Sequence, residues 1–157
     1  MYDKCRKLMG RCISLSNVQV EEILGGAEIL GRKINSINDL IELGRHGIKK
    51  SAVRHLAASM SLTWRDMAGL LPITERTLQR YQTHKLLSQA VSEQALQLAE
   101  VVATGIDVFE DRDNFLSWLS MPSAALGDQK PIELLSSRFG IELVIDELGR
   151  IAHGIPA

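Results

Sequence analysis

The chain has 157 residues, of which 45% are hydrophobic, 24% charged and only 4% aromatic, with a formal net charge of −1. Such a composition describes one folded domain, or two small ones sharing a core, packed from Leu, Ile, Val and Ala. It contains no apolar run near the roughly 18 residues of a membrane span, and no signal-peptide-length apolar stretch follows the basic start, so a cytoplasmic location and no membrane partner are expected.

Taken in chain order, residues 1–17 include the basic run "KCRKLMGR" and are expected to be a flexible arm. Cys5 and Cys12 in that arm have no His or Cys at ligand spacing, so reduced thiols and no structural metal are expected. Nearly every later segment fits a 3.6-residue apolar period, which predicts an all-α protein. Val18 to Leu30 reads as a helical stretch weakened by Gly25 and Gly26. Ser36 and Asp39 form a capping box for a helix to about Arg45, with Gly47 as its stop. Lys50 to Met60 places Val53, Leu56 and Ala57 on one face.

Thr63 and Asp66 cap a helix from Trp64 to about Leu70, and Pro72 forbids its continuation. Thr74 is an N-cap for a helix from Glu75 to about Thr83. A long helix is expected over Ser92 to Phe109, then a short one through Phe115 and Trp118 that ends before Pro122. Phe115 and Trp118 are expected in the core. Asp111 and Asp113 are read as helix-start carboxylates rather than an acid/base pair. Pro131 opens a helix of about two turns that ends near Gly140. The last helix carries Val144, Leu148, Ile151 and Ala152 along one stripe and stops at Gly154.

Recognisable catalytic chemistry is missing. "GAEILGRK" (Gly26 to Lys33) falls short of a phosphate-binding loop, because Ile34 follows Lys33, Glu28 would sit in the anion cradle, and no strand precedes it. Glycines that bend a helix or permit close packing are the simpler reading. The four histidines, at 46, 55, 84 and 153, are scattered, and no nucleophile motif is present. No catalytic residue, metal or cofactor is therefore assigned, and an enzyme is not expected.

The stretch "LTWRDMAGLLPITERTLQRYQ" (Leu62 to Gln82) has the pattern of a helix-turn-helix. Ala68 and Gly69 are small where two helices cross, and Ile73 and Leu78 tie the second helix to a core. Thr74, Glu75, Arg76, Thr77, Gln79 and Arg80, with Arg65 from the first helix, offer hydroxyl, amide and guanidinium groups suited to phosphates and base edges. A structural hairpin with a solvated polar side has the same pattern. Charge favours the DNA reading: from Arg45 to Ala90 eight basic residues stand against Asp66 and Glu75, a balance of +6, whereas Val91 to Ala157 carries four basic and eleven acidic residues, −7. A basic middle and an acidic tail suggest two different partners.

The hairpin resembles the helix-turn-helix of Xre-like antitoxins. "VFED" (Val108 to Asp111), "FLSWLSMPSAALGDQKPIELL" (Phe115 to Leu135) and "FGIELVIDELGRIAHG" (Phe139 to Gly154) resemble the toxin-binding domain of the MbcA/ParS/Xre group. The resemblance implies a helix-turn-helix DNA-binding half at 18–90 and a C-terminal helical toxin-binding half at 91–157. It also implies a homodimer that represses its own operon and a cognate toxin, typically a RES-domain enzyme that consumes NAD. The toxin-facing part would run from Glu142 to Ala157, through Glu142, Asp146, Glu147, Arg150, His153, Gly154, Ile155, Pro156 and Ala157, with the short "IPA" tail reaching into a cleft. Pro72 departs from the glycine common in such turns. A stand-alone regulator, with a C-terminal half that only dimerises, is the alternative.

Overall fold

A computed structural model describes residues 17–154; residues 1–16 of the expected N-terminal arm, with Cys5 and Cys12, and the tail residues Ile155, Pro156 and Ala157 lie outside the described residues, whereas Asn17, expected in the arm, is buried in the first helix. Among those described, no strand is present, and the only β-type pairings are isolated bridges at Lys49–Leu86 and Ser123–Gln129. The chain is all-α, as its apolar period predicts.

The expected Val18–Leu30 helix is two helices, α1 over residues 17–23 and α2 over Ala27–Leu30. Gly25 and Gly26 separate them at φ 95° and 90°, a backbone region that glycine enters without a Cβ penalty. Helix α3 spans Ile37–His46; the Asp39 carboxylate accepts the backbone N–H groups of Asn35 and Ser36, each at 3.0 Å. Gly47 follows α3 as expected. Helix α4, Lys50–Ser59, buries Val53, Leu56 and Ala57.

Helices α5 (Trp64–Leu70) and α6 (Glu75–Arg80) form the hairpin. The hydroxyls of Thr63 and Thr74 accept the N–H groups of Asp66 and Thr77 at 3.2 Å, which satisfies donors that each first turn leaves open. Helix α6 ends at Arg80 rather than at Thr83, where a tertiary partner holds its C-terminal end. The Lys50 amine donates to the carbonyl oxygens of Gln79 at 2.7 Å and Tyr81 at 3.1 Å. Lys50 is only 6% exposed, and its burial, with the nearby Arg54 charge, lowers its pKa from the ordinary lysine value. A basic residue of the charged middle thus serves as an internal clamp on α6.

Helix α7 runs from Gln89 to Phe109, capped by Ser88, so it starts before the expected Ser92. Ser92 is fully buried and its hydroxyl accepts the Ile48 N–H at 3.0 Å. Ten residues of α7 are buried, among them Val91, Leu96, Leu98, Val101 and Val102; fully burying a Val or Leu side chain contributes roughly 1.5–3 kcal/mol. Helix α8, Arg112–Ser120, starts at Asp111, which accepts the Asn114 N–H at 2.9 Å. Phe115 is buried, and half-buried Trp118 packs on Phe109 and Phe115 with centroids 5.6 and 6.2 Å away.

A 3-10 turn at Ala124–Leu126 leads to the short α9, Pro131–Leu134, with Pro131 in the first turn as expected. The final helix α10 spans Arg138–Ala152 and is capped by Ser137, whose hydroxyl accepts the Gly140 N–H at 3.1 Å. Gly140 is therefore inside α10 and does not end the preceding helix. A Cβ there would run into the Leu134 carbonyl, so glycine is required by the close approach of α10 to α9.

Two polar side chains join the halves of the chain. The Gln94 amide donates to the carbonyl oxygens of Leu70 at 3.3 Å and Leu135 at 3.0 Å. The Arg112 guanidinium donates to the carbonyl oxygens of Ser59 and Ala58 at 2.9 Å and to the Ser61 hydroxyl at 2.8 Å. Both bind backbone carbonyls at helix ends.

Because backbone at Leu134 cannot yield as a side chain would, Gly140→Ala should destabilise the fold by about 2 kcal/mol; thermal unfolding measures it, and an unchanged Tm would show that α9 and α10 can separate freely. Burial raises the carboxyl pKa of Glu100 on α7 above its ordinary value. The native state then favours the proton, so this group's contribution to stability rises as pH falls through its native pKa toward the unfolded one. Glu100→Gln should raise Tm at pH 7 and flatten the stability profile in the acidic range; a variant that is less stable at pH 7 would contradict this.

Candidate functional site

In the hairpin, Leu78 and Ala68 are buried and Ile73 packs against the core, which leaves the polar side of α6 facing out. Gly69 faces open space instead of the crossing helix. Thr74, Arg76, Thr77, Gln79, Arg80 and, on α5, Arg65 are exposed, and Glu75 is half-buried. Several of these groups already have partners. The hydroxyls of Thr74 and Thr77 lie 2.8 Å apart, and the Gln79 amide donates to Glu75 at 2.9 Å. Arg76 and Arg80, one turn apart on the same face, form no ion pair among the described residues.

The basic surface extends beyond α6. Exposed Arg54 places its guanidinium 5.8 Å from the Trp64 ring, and the Lys50 amine lies 5.7 Å from the same ring. Lys50, Arg54, Leu62, Trp64 and Gln79 line an open cleft of about 520 Å³ beside the hairpin. Lys85 sits over the Tyr81 ring at 5.8 Å. Trp64 is thus both packed and cationically flanked. The electrostatics suit an anion, and the side chains that could meet one first are the unpaired guanidiniums of α6.

The second constellation is α10. Its inner face buries Ile141, Val144 and Leu148, with Ile151 half-buried; Ala152, expected on that stripe, is exposed. Glu142, Asp146, Arg150, His153 and Gly154 are exposed. Glu147 is not: it is 6% exposed and accepts from Arg150 at 3.4 Å. Three residues after Val144 and beside Leu148, it shares their side of the helix, so the expectation that it points outward is corrected. Phe139 and Leu143, 82% and 44% exposed, join the outer face. Sequence reading assigned them nothing, although their i,i+4 spacing off the Val144 stripe is the signal that could have found them.

No group of three or more His, Cys, Asp or Glu among the described residues is placed to hold a metal ion. No described helix is long and apolar enough to cross a membrane.

Two family models match the chain: the antitoxin Xre-like helix-turn-helix domain over residues 39–100, and the antitoxin Xre/MbcA/ParS C-terminal toxin-binding domain over residues 104–154. Antitoxin Xre from Yersinia enterocolitica is 32% identical over 85 residues, which are 53% of this chain and 57% of that protein. The chain therefore spans little more than half the length of this curated relative. Among solved structures, a chain of the M. tuberculosis MbcT–MbcA toxin–antitoxin complex superposes with a TM-score of 0.54 at 19% identity, covering 69% of this chain and 96% of that one, a likeness of fold. The two matched segments adjoin within α7, where the hairpin half and the α8–α10 half meet, and together they place the chain in the Xre/MbcA/ParS family of antitoxins.

Proposed function

We propose that this chain is the antitoxin of a type II toxin–antitoxin pair and acts by stoichiometric binding in the cytoplasm rather than by catalysis. In this reading α10 and the segment after it occlude a RES-domain toxin that consumes NAD. The α5–α6 hairpin, presented by a homodimer, holds the operator and represses the chain's own operon. The observation that carries the reading is an exposed cationic hairpin in a segment that matches an antitoxin helix-turn-helix, followed in the same chain by a domain that matches toxin-binding modules. The solved neighbour comes from a toxin–antitoxin complex, which supports a toxin partner for this chain as well.

Electrostatics assign each surface its role. Arg76 and Arg80 project unpaired guanidiniums that suit phosphate or guanine edges, with Arg65 and Arg54 as flanking phosphate contacts. Thr74, Thr77 and Gln79 are secondary, since their polar groups are already hydrogen-bonded within α6. On α10, Glu142 and Asp146 match a basic-lined cleft of the kind that admits a dinucleotide. His153 follows the end of α10, where a cation is favoured. A helix that is already folded inhibits with little ordering cost on binding.

The primary test is expression of the open reading frame adjacent to this gene, with and without the chain, while following growth and cellular NAD. Arrest with NAD loss, relieved by this protein, is expected; a harmless neighbour would leave a stand-alone DNA-binding regulator. Arg76→Ala with Arg80→Ala should weaken operator binding at least about tenfold and flatten the slope of log K against log salt by about 2, the loss of two phosphate contacts. Gel shifts across salt concentrations measure both, and neutralisation should persist. Removing Gly154 to Ala157 should weaken neutralisation while leaving operator binding and Tm unchanged; full protection by the shortened chain would move the inhibitory contact elsewhere.

A further inference from the structure

The outer face of α10 carries more than charge. Counting from Phe139, steps of four, three, four and three residues reach Leu143, Asp146, Arg150 and His153, all on one side of the helix. Glu142 lies beside them, and all six are exposed. The polar end of this stripe is the surface already proposed to meet the toxin. Its other end is apolar.

Phe139 is the most exposed of the large hydrophobic residues among those described. The other two phenylalanines, Phe109 and Phe115, pack with Trp118. An 82% exposed aromatic forgoes most of the stabilisation its burial would bring, and the fold fixes the backbone that carries it. The Ser137 cap fixes the first turn of α10 from one side, and the contact of Gly140 with the Leu134 carbonyl fixes it from the other. An aromatic beside an aliphatic residue, on backbone set before binding, is the form that interface anchors take. Arg138 pairs with Glu142 at 3.2 Å beside the aromatic ring, and Asp146 and Arg150 follow along the stripe, so the rim of the apolar pair carries charges of both signs.

We infer that Phe139 and Leu143 are the apolar anchor of the toxin interface, seated in an apolar hollow of the toxin with a polar rim, and that the interface runs the length of α10 instead of only its C-terminal end. This rests on the toxin-binding reading above. Phe139 to His153 spans roughly 21 Å of helix, enough for the central ridge of an interface of ordinary size. A second copy of the chain fits this face less well. The whole of this face lies within residues 104–154, the segment that matches toxin-binding domains, which favours the toxin over a second copy. The exposed pair Ile37 and Ile41 on α3 lies outside the segment that matches toxin-binding domains, and supplies a control.

The test uses the full chain and the product of the adjacent open reading frame, made inactive by a substitution in its active site, with binding followed by titration calorimetry. Phe139→Ser with Leu143→Ser should weaken association at least about 30-fold relative to the unaltered chain, leave Tm and subunit number in solution unchanged, and spare operator binding. Phe139→Leu, which keeps an apolar side chain, should lose less. Ile37→Ser with Ile41→Ser should keep the toxin affinity of the unaltered chain. Undiminished toxin binding by the Phe139/Leu143 variant would overturn the inference while the antitoxin reading stands. A fall in subunit number would overturn it in favour of self-association. Absence of binding by the unaltered chain would overturn the toxin reading, and this inference with it.

Discussion

Helix α7 is the constraint on which the other elements depend. It packs against α3 and α4 from one part of the chain and against α8 and α10 from the other, so both parts share one rod. A helix apolar on several sides must be covered on all of them, and ten buried residues from Val91 to Gly105 record that covering. The α3–α4 layer and the α8–α10 layer both pack on this helix, and the hairpin joins the core through α4. Where apolar packing leaves carbonyls open, side chains from across the seam fill them. Gln94 reaches the ends of α5 and α9, and Arg112 reaches the end of α4.

Much of this was legible before any coordinates. Local rules decide where α5 and α6 begin, because a threonine cap and a proline act within four residues of themselves. The fold class followed equally directly from the 3.6-residue period. What escaped were features with a tertiary cause. Helix α6 stops early because a lysine thirty residues upstream holds the carbonyls of Gln79 and Tyr81 at its end, and nothing in "ERTLQRYQT" encodes that lysine's reach. Ser92 resembles a helix cap in sequence, yet its hydroxyl is occupied by the N–H of Ile48. Gly140 resembles a helix stop, yet it is there because another backbone passes too near for a Cβ.

The two surfaces were legible to different degrees for the same reason. Arg76 and Arg80 project outward simply because Leu78 between them faces the core. On α10 the apolar stripe was readable, but its width was not. Glu147 lies within it, made tolerable by Arg150 at its rim, and a buried carboxylate is not something periodicity anticipates. Phe139 escaped by the opposite route, since a large aromatic is counted as core unless its position on the helix shows otherwise.

The Arg112 clasp bears on how such proteins can change over time. Three of its donors end on α4 and the loop that follows, on the far side of the seam from the helix it belongs to. The two functional halves are therefore poor candidates for shuffling as separate cassettes. A recombinant that joined this C-terminal half to a foreign hairpin would bring a guanidinium to carbonyls no longer positioned to receive it, and would expose or crowd one side of α7. Lineages carrying this architecture are expected to diversify by altering the outward residues of α6 and α10, one at a time, on a conserved interior.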